Sequence, residues 1–167
     1  MPITTTPAAI FKKLHQIAPA IVFNVAHTLD PHFRWDGDGP DPREDGYEAY
    51  DVDVTARAVV DGKMREGRDS LGGTYDRPGK YDPDIGGYLP QMLEEAVDEL
   101  RKSGRLPAPL AKQAESARKY LKDVMRVRYD EQRRQHRSGD VRTRKAGRSS
   151  RGSKRSSRRP KRSSRRR

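Results

Sequence analysis

The chain has no cysteine, which excludes disulfide staples, thiolate zinc sites and a cysteine nucleophile, and is compatible with a reducing interior. Aromatic residues are scarce at 7%, with one tryptophan, and apolar residues of all kinds reach only 32%. A core built from them is modest. Long apolar runs are also missing: the longest, around Ala18 to Phe23, is broken by Pro19 and is far shorter than the roughly 20 residues that cross a bilayer. The opening MPITTTPAAIFKKLHQ lacks the order of charge, apolar block and small-residue cleavage site of a secretory signal. We therefore expect an intracellular protein, in cytoplasm, nucleus or nucleoid or carried in a virion, and neither secreted nor bound to a membrane.

The most informative absence is local. From Val141 to Arg167 there is no acidic residue, and Val141 and Ala146 are the only aliphatic ones, while fourteen positions are Lys or Arg. Residues 1–140 hold 22 basic and 24 acidic side chains, so the net charge of +12 divides into −2 and +14. Ordering a residue costs about 1–2 kcal/mol, and this segment has nothing to bury in return. The reading is one small α+β domain over 1–137 and a disordered Arg/Ser-rich tail over 138–167.

Within the domain, Pro7 suits a first helical position after Thr6, and Ile10, Phe11, Leu14 and Ile17 recur at helical spacing up to Pro19. Ala20–Leu29 is rich in β-branched and aromatic residues on both faces, which predicts a central strand. Asp30–Gly46, DPHFRWDGDGPDPREDG, reads as a long acidic loop without regular structure. Tyr50, Val52, Val54, Ala56, Ala58 and Val60 then alternate with polar residues, predicting a strand with one buried face. Asp61-Gly62 marks a hairpin turn. A three-residue loop that pairs Met64 with Ala58 is expected there, since a two-residue loop would set Lys63 and Arg65 beside the apolar face. The return strand runs to about Ser70, where Leu71-Gly72-Gly73 breaks it and Leu71 turns back to the core.

After a second Gly/Pro loop, Ile85, Leu89, Met92, Leu93, Ala96 and Leu100 form a helical stripe, with Pro90 in the first turn, Glu94 and Glu95 complementing the N-terminal dipole, and a Gly104 stop. A second helix from about Pro109 uses Leu110, Ala114, Ala117, Leu121, Val124 and Arg128, and fades near Arg137. The order α-β-β-β-α-α predicts a small three-stranded antiparallel sheet with helices packed on one face. The first five elements resemble in order a double-stranded-RNA-binding domain, which implies contact across minor grooves. Where such domains carry a basic cluster, at the start of the last helix, this chain has PDIGGYLPQM.

Eleven of the fourteen tail charges are Arg, which grips phosphate through paired hydrogen bonds. Arg142, Arg144, Lys145, Arg148, Arg151, Lys154, Arg155, Arg158, Arg159, Lys161, Arg162, Arg165, Arg166 and Arg167 are thus candidate contacts to nucleic-acid backbones, DNA or RNA, without sequence preference. The expectation is a non-enzymatic nucleic-acid-binding protein with no cofactor and no metal, of a plan that suits genome packaging or a viral or phage accessory role. The alternative is a protein-interaction or inhibitor module whose domain is active and whose tail localises it. Arg158-Arg159-Pro160-Lys161-Arg162 also fits a nuclear-import address. Ser149, Ser150, Ser153, Ser156, Ser157, Ser163 and Ser164 stand beside arginines, where phosphorylation would cancel charge. No apolar or lipid anchor supports a membrane role.

Four other features invite chemistry. Ser70 in GRDSLGG resembles a nucleophile elbow, but Arg68 stands where the elbow needs glycine, so a hairpin-end turn is expected. His27 and His32 with Asp30, Asp36 or Asp38 offer metal ligands, yet Pro40 and Tyr47 occupy positions where a calcium loop needs oxygen ligands. Arg34-Trp35, Tyr75, Tyr81 and Tyr88 flank the long loops, where base stacking or core-edge packing would suit them. The acids of DGDGPDPRED could hold the arginine tail in cis.

Overall fold

Strict alternation puts Tyr50–Val60 at the centre of the sheet. In the computed structural model, which describes residues 3–76, 79 and 81–149, β2 (Glu48–Val60) lies between β1 (Val22–Leu29) and β3 (Lys63–Asp76), with both pairings antiparallel. The six apolar residues at alternate positions from Tyr50 to Val60 are all buried. They share one core with Ile10 and Leu14 of α1 (Pro7–Ile17), Leu93, Val97 and Leu100 of α2 (Leu89–Lys102), and Leu110, Ala114, Ala117, Leu121 and Val124 of α3 (Ala108–Ser149). The fold is α+β, with helices packed against a three-stranded antiparallel sheet.

Three sequence expectations about the sheet need correction. β1 is an edge strand, not a central one: among the described residues it pairs with β2 alone, and Val22 and Leu29 are exposed. Two successive antiparallel connections leave the first strand on the outside, whatever its hydrophobicity. The hairpin has a two-residue loop, pairing Val60 with Lys63, Val59 with Met64 and Ala58 with Arg65. Asp61 and Gly62 both take positive φ, 50° and 72°, the primed turn whose twist matches the strands. This register places Gly67 opposite Ala56, directly beneath α2, where a Cβ would meet the carbonyl oxygen of Ala96 at 1.9 Å and the amide nitrogen of Leu100 at 2.2 Å. Close approach of helix to strand thus outweighs burial of Met64, which is exposed. Arg65 lies half-buried with its guanidinium against Gly104, just past the end of α2.

The third correction concerns the strand end. β3 continues to Asp76, and Gly72-Gly73 form a bulge opposite Asp51, between the pairs Val52 with Leu71 and Tyr50 with Thr74. Glycines here bend the ladder without ending it. Leu71 packs partly buried against the core.

The long acidic loop contains a 3-10 turn, Pro42–Asp45. Arg43 organises it by bonding the Asp41 carboxylate and the Phe33 carbonyl, the latter at 2.6 Å, while lying over the Phe33 ring. Ile85 belongs to a second 3-10 turn (Ile85–Gly87) that precedes α2. α3 does not fade near Arg137 but is helical to Ser149; Arg, Lys, Gln and Ala are good helix formers, and packing of its first turns removes the cost of nucleation. The chain divides after Arg128 into two units. Of the tail expected to be disordered over 138–167, residues 150–167 fall outside the described residues.

Candidate nucleic-acid interface

The division after Arg128 is also a division of charge. Residues 1–128 carry 19 basic and 21 acidic side chains, whereas 129–167 carry 17 basic and three acidic, Asp130, Glu131 and Asp140. Net charges are −2 and +14.

On the part of α3 that belongs to the first unit, several cations are committed to acids. Arg118 donates to Glu94 at 2.9 Å and lies 3.5 Å from Asp98, and Lys122 is 3.6 Å from Glu94. The hydrogen bond with Glu94 pushes the Arg118 pKa up, so the charged form is favoured. Arg126 pairs with Asp123 at 3.1 Å. Arg128 is a clasp: it donates to Asp84 at 2.8 Å, to the Gly87 carbonyl at 3.2 Å and to the Thr5 carbonyl, tying α3 to the start of α1 and the approach to α2.

Beyond Arg128 the pattern changes. Arg133 lies over the ring of Tyr129 and Arg134 is exposed, and neither forms an ion pair with the described residues. Arg142, Arg144, Lys145 and Arg148, assigned to the tail by sequence, stand on the helical backbone of α3. The other ten candidates, from Arg151 to Arg167, lie outside the described residues. Residues 129–149 therefore put seven Lys and Arg on a helical segment about 30 Å long. Arg133, Arg134 and Arg137 were not among the residues singled out from sequence, although the same rise in charge points to them.

The remaining candidates separate. Ser70 is exposed on the open face of the sheet, where its hydroxyl donates to Asp53 Oδ1 at 2.6 Å and Arg68 donates to the same oxygen at 2.6 Å through its terminal nitrogen. The Ser70 hydrogen bond, followed by Arg68, holds the Asp53 carboxyl below its usual range, which makes it a weak base. Ser70 thus lies within β3 instead of closing it. His27 is half-buried at the edge of the core, stacked on Tyr81 at 4.9 Å and tilted against Tyr50 at 5.4 Å. His32 is exposed, its amide donating to Asp30. Among the described residues no group of three or more His, Asp or Glu could hold a metal ion.

Trp35 donates to the Gly39 carbonyl at 3.2 Å, Tyr81 packs against the core cluster and Tyr88 is exposed beside α2, so these aromatics do not share a platform. Tyr75 sits on β3 opposite Ala49. Contact between the acidic loop and the end of the tail falls outside the described residues. An open cleft of about 570 Å³ runs beside α1, lined by Ile3, Lys12, Lys13, Gln16 and Tyr120; burial pushes the Tyr120 phenol up. No described helix is long and apolar enough to cross a membrane. Compared with protein-family models, curated proteins and solved structures, the chain finds no match.

Proposed function

We propose that the protein is a non-enzymatic nucleic-acid-binding protein that holds phosphate backbones without sequence preference, through the basic extension of α3 and the Arg/Ser tail that follows it. The observation that carries this reading is the charge division, since 17 of the 36 Lys and Arg fall within residues 129–167, against three acids. Such a density in a segment with almost no apolar residues suits a polyanion, whose condensed counterions are released on binding. A helix with exposed arginines followed by serine-spaced arginines can track a backbone without base contacts. The plan of a near-neutral domain with a basic arm suits genome packaging or a viral or phage accessory role.

The test is a salt titration of binding to mixed-sequence DNA and RNA. With about ten phosphates neutralised on duplex DNA, affinity falls with roughly the ninth power of salt concentration. Salt-independent binding, or none, would exclude the reading. A second reading makes the first unit a protein-interaction module, favoured by the exposed Val22, Val59 and Met64 at the hairpin end of the sheet. Removing residues 141–167 separates the two, because the first reading loses its activity and the second keeps it.

A further inference from the structure

The two edges of the sheet are built differently. β3 carries Lys63, Arg65, Glu66, Arg68 and Asp69 and is bent by the bulge at Gly72-Gly73, and charges and bulges are the usual means by which a sheet edge avoids pairing with another chain. β1 has none of these. Its sequence, VFNVAHTL, contains no Lys, Arg, Asp, Glu or Pro, and its eight residues pair with β2 in an unbroken register from Val22 with Arg57 to Leu29 with Tyr50. Among the described residues, no backbone hydrogen bond is made by Val22–Leu29 beyond the ladder to β2. No residue of β1 is fully buried, and Val22 is 62% and Leu29 52% exposed.

We propose that β1 pairs antiparallel with β1 of a second copy of this chain, joining two three-stranded sheets into one of six strands. An antiparallel pair about a two-fold axis requires a strand complementary to its own reverse. Centred on Val25, this strand meets that requirement. Val25 faces Val25, and Phe23 faces His27, on the side of the helices; Asn24 faces Ala26, and Val22 faces Thr28, on the open side. Every opposed pair lies on one face of the pleat, and none places formal like charges together. Aromatic and β-branched pairs of this kind stabilise a ladder. An uncharged strand offers little to a strongly charged peptide, whereas it matches itself from Val22 to Thr28. The dimer carries two α3 extensions and two tails, so linked binding would raise avidity for a long polyanion. The pairing itself is independent of nucleic acid.

The test uses the full chain without nucleic acid, in about 0.3 M salt to screen the tails. Sedimentation equilibrium should show reversible dimers of the 19.0 kDa chain. Asn24 and Thr28 are exposed on the open face, so the double variant Asn24→Lys, Thr28→Lys should fold, and its dimer dissociation constant should rise about tenfold or more. Because the chain has no cysteine, Val25→Cys introduces a single thiol on the axis. Facing Cα atoms in an antiparallel pair lie about 4.5–5.5 Å apart, within disulfide reach, so oxidation should give a covalent dimer. Val59→Cys, on the exposed end of β2, should dimerise as the unmodified chain does but give no covalent dimer on oxidation. A monomer up to about 1 mM, a dimer unaffected by the two lysines, or equal cross-linking of the Val25→Cys and Val59→Cys variants would overturn the pairing.

Discussion

Glu94 and Thr55 are the polar residues buried among those described, and Glu94 is paired with Arg118, which keeps a fifth of its side chain exposed. Removing one partner leaves the other charge poorly compensated. Glu94→Gln should cost about 2–3 kcal/mol, less than for a fully buried pair because water reaches Arg118; thermal melting checks this. On the open face, the Asp53 carboxyl lies below its usual range because Ser70 and then Arg68 bond it. A carboxyl depressed by folding contributes stability above its unfolded pKa, about 3.9, and loses it as pH falls through the folded value. Ser70→Ala should therefore raise the Asp53 pKa, read by carboxyl NMR titration, and cost at most about 1 kcal/mol near pH 7. That cost should shrink as pH falls through the folded pKa and be lost below it, where folded and unfolded forms are both protonated. Retention of the low pKa in the variant would show that Arg68 alone sets it.

Gly67 governs how elements pack. Its missing side chain lets the α2 backbone rest on β3, and a methyl group there meets backbone atoms of Ala96 and Leu100 that cannot rotate away. Gly67→Ala should push the helix from the sheet at a cost of about 3 kcal/mol, the upper end for overpacking. Denaturant unfolding measures it, and a cost below about 1 kcal/mol would refute so close a packing. The α3 helix is held from the other side by its stripe, in which Leu121 is fully buried. Leu121→Ala should cost about 2–5 kcal/mol by leaving a cavity.

For the whole molecule, charge distribution sets the expected behaviour. A chain ending at Asp140 keeps Arg133, Arg134 and Arg137 but loses fourteen cations. Its binding to duplex DNA should be much weaker, with a salt exponent near 3 in place of about 9. Its thermal midpoint should be nearly unchanged, because the segment removed has little apolar surface to contribute to a core. Tight, salt-steep binding by the shortened chain would move the interface onto residues 1–140.

Local pattern alone specified much of this protein. Alternation over Tyr50–Val60 identified the buried face of β2, and helical spacing identified most core residues of the three helices, Val97 being one it missed, because periodicity records which side of an element avoids water. The cationic segment was legible from composition, since charge adds along a chain whatever its fold. Tertiary structure decided what depends on distant neighbours. β1 became an edge because strand order follows connection and pairing, which its own hydrophobicity does not encode. The hairpin register followed the fit of Gly67 under α2, a contact with residues some thirty positions away in sequence. Glu94 found Arg118 and Arg128 found Asp84, so those cations were neutralised inside the first unit, while Arg133 and Arg134 were not. A sequence counts charges, but only the fold brings opposite ones within a few ångströms, and that proximity decides which are left for a partner.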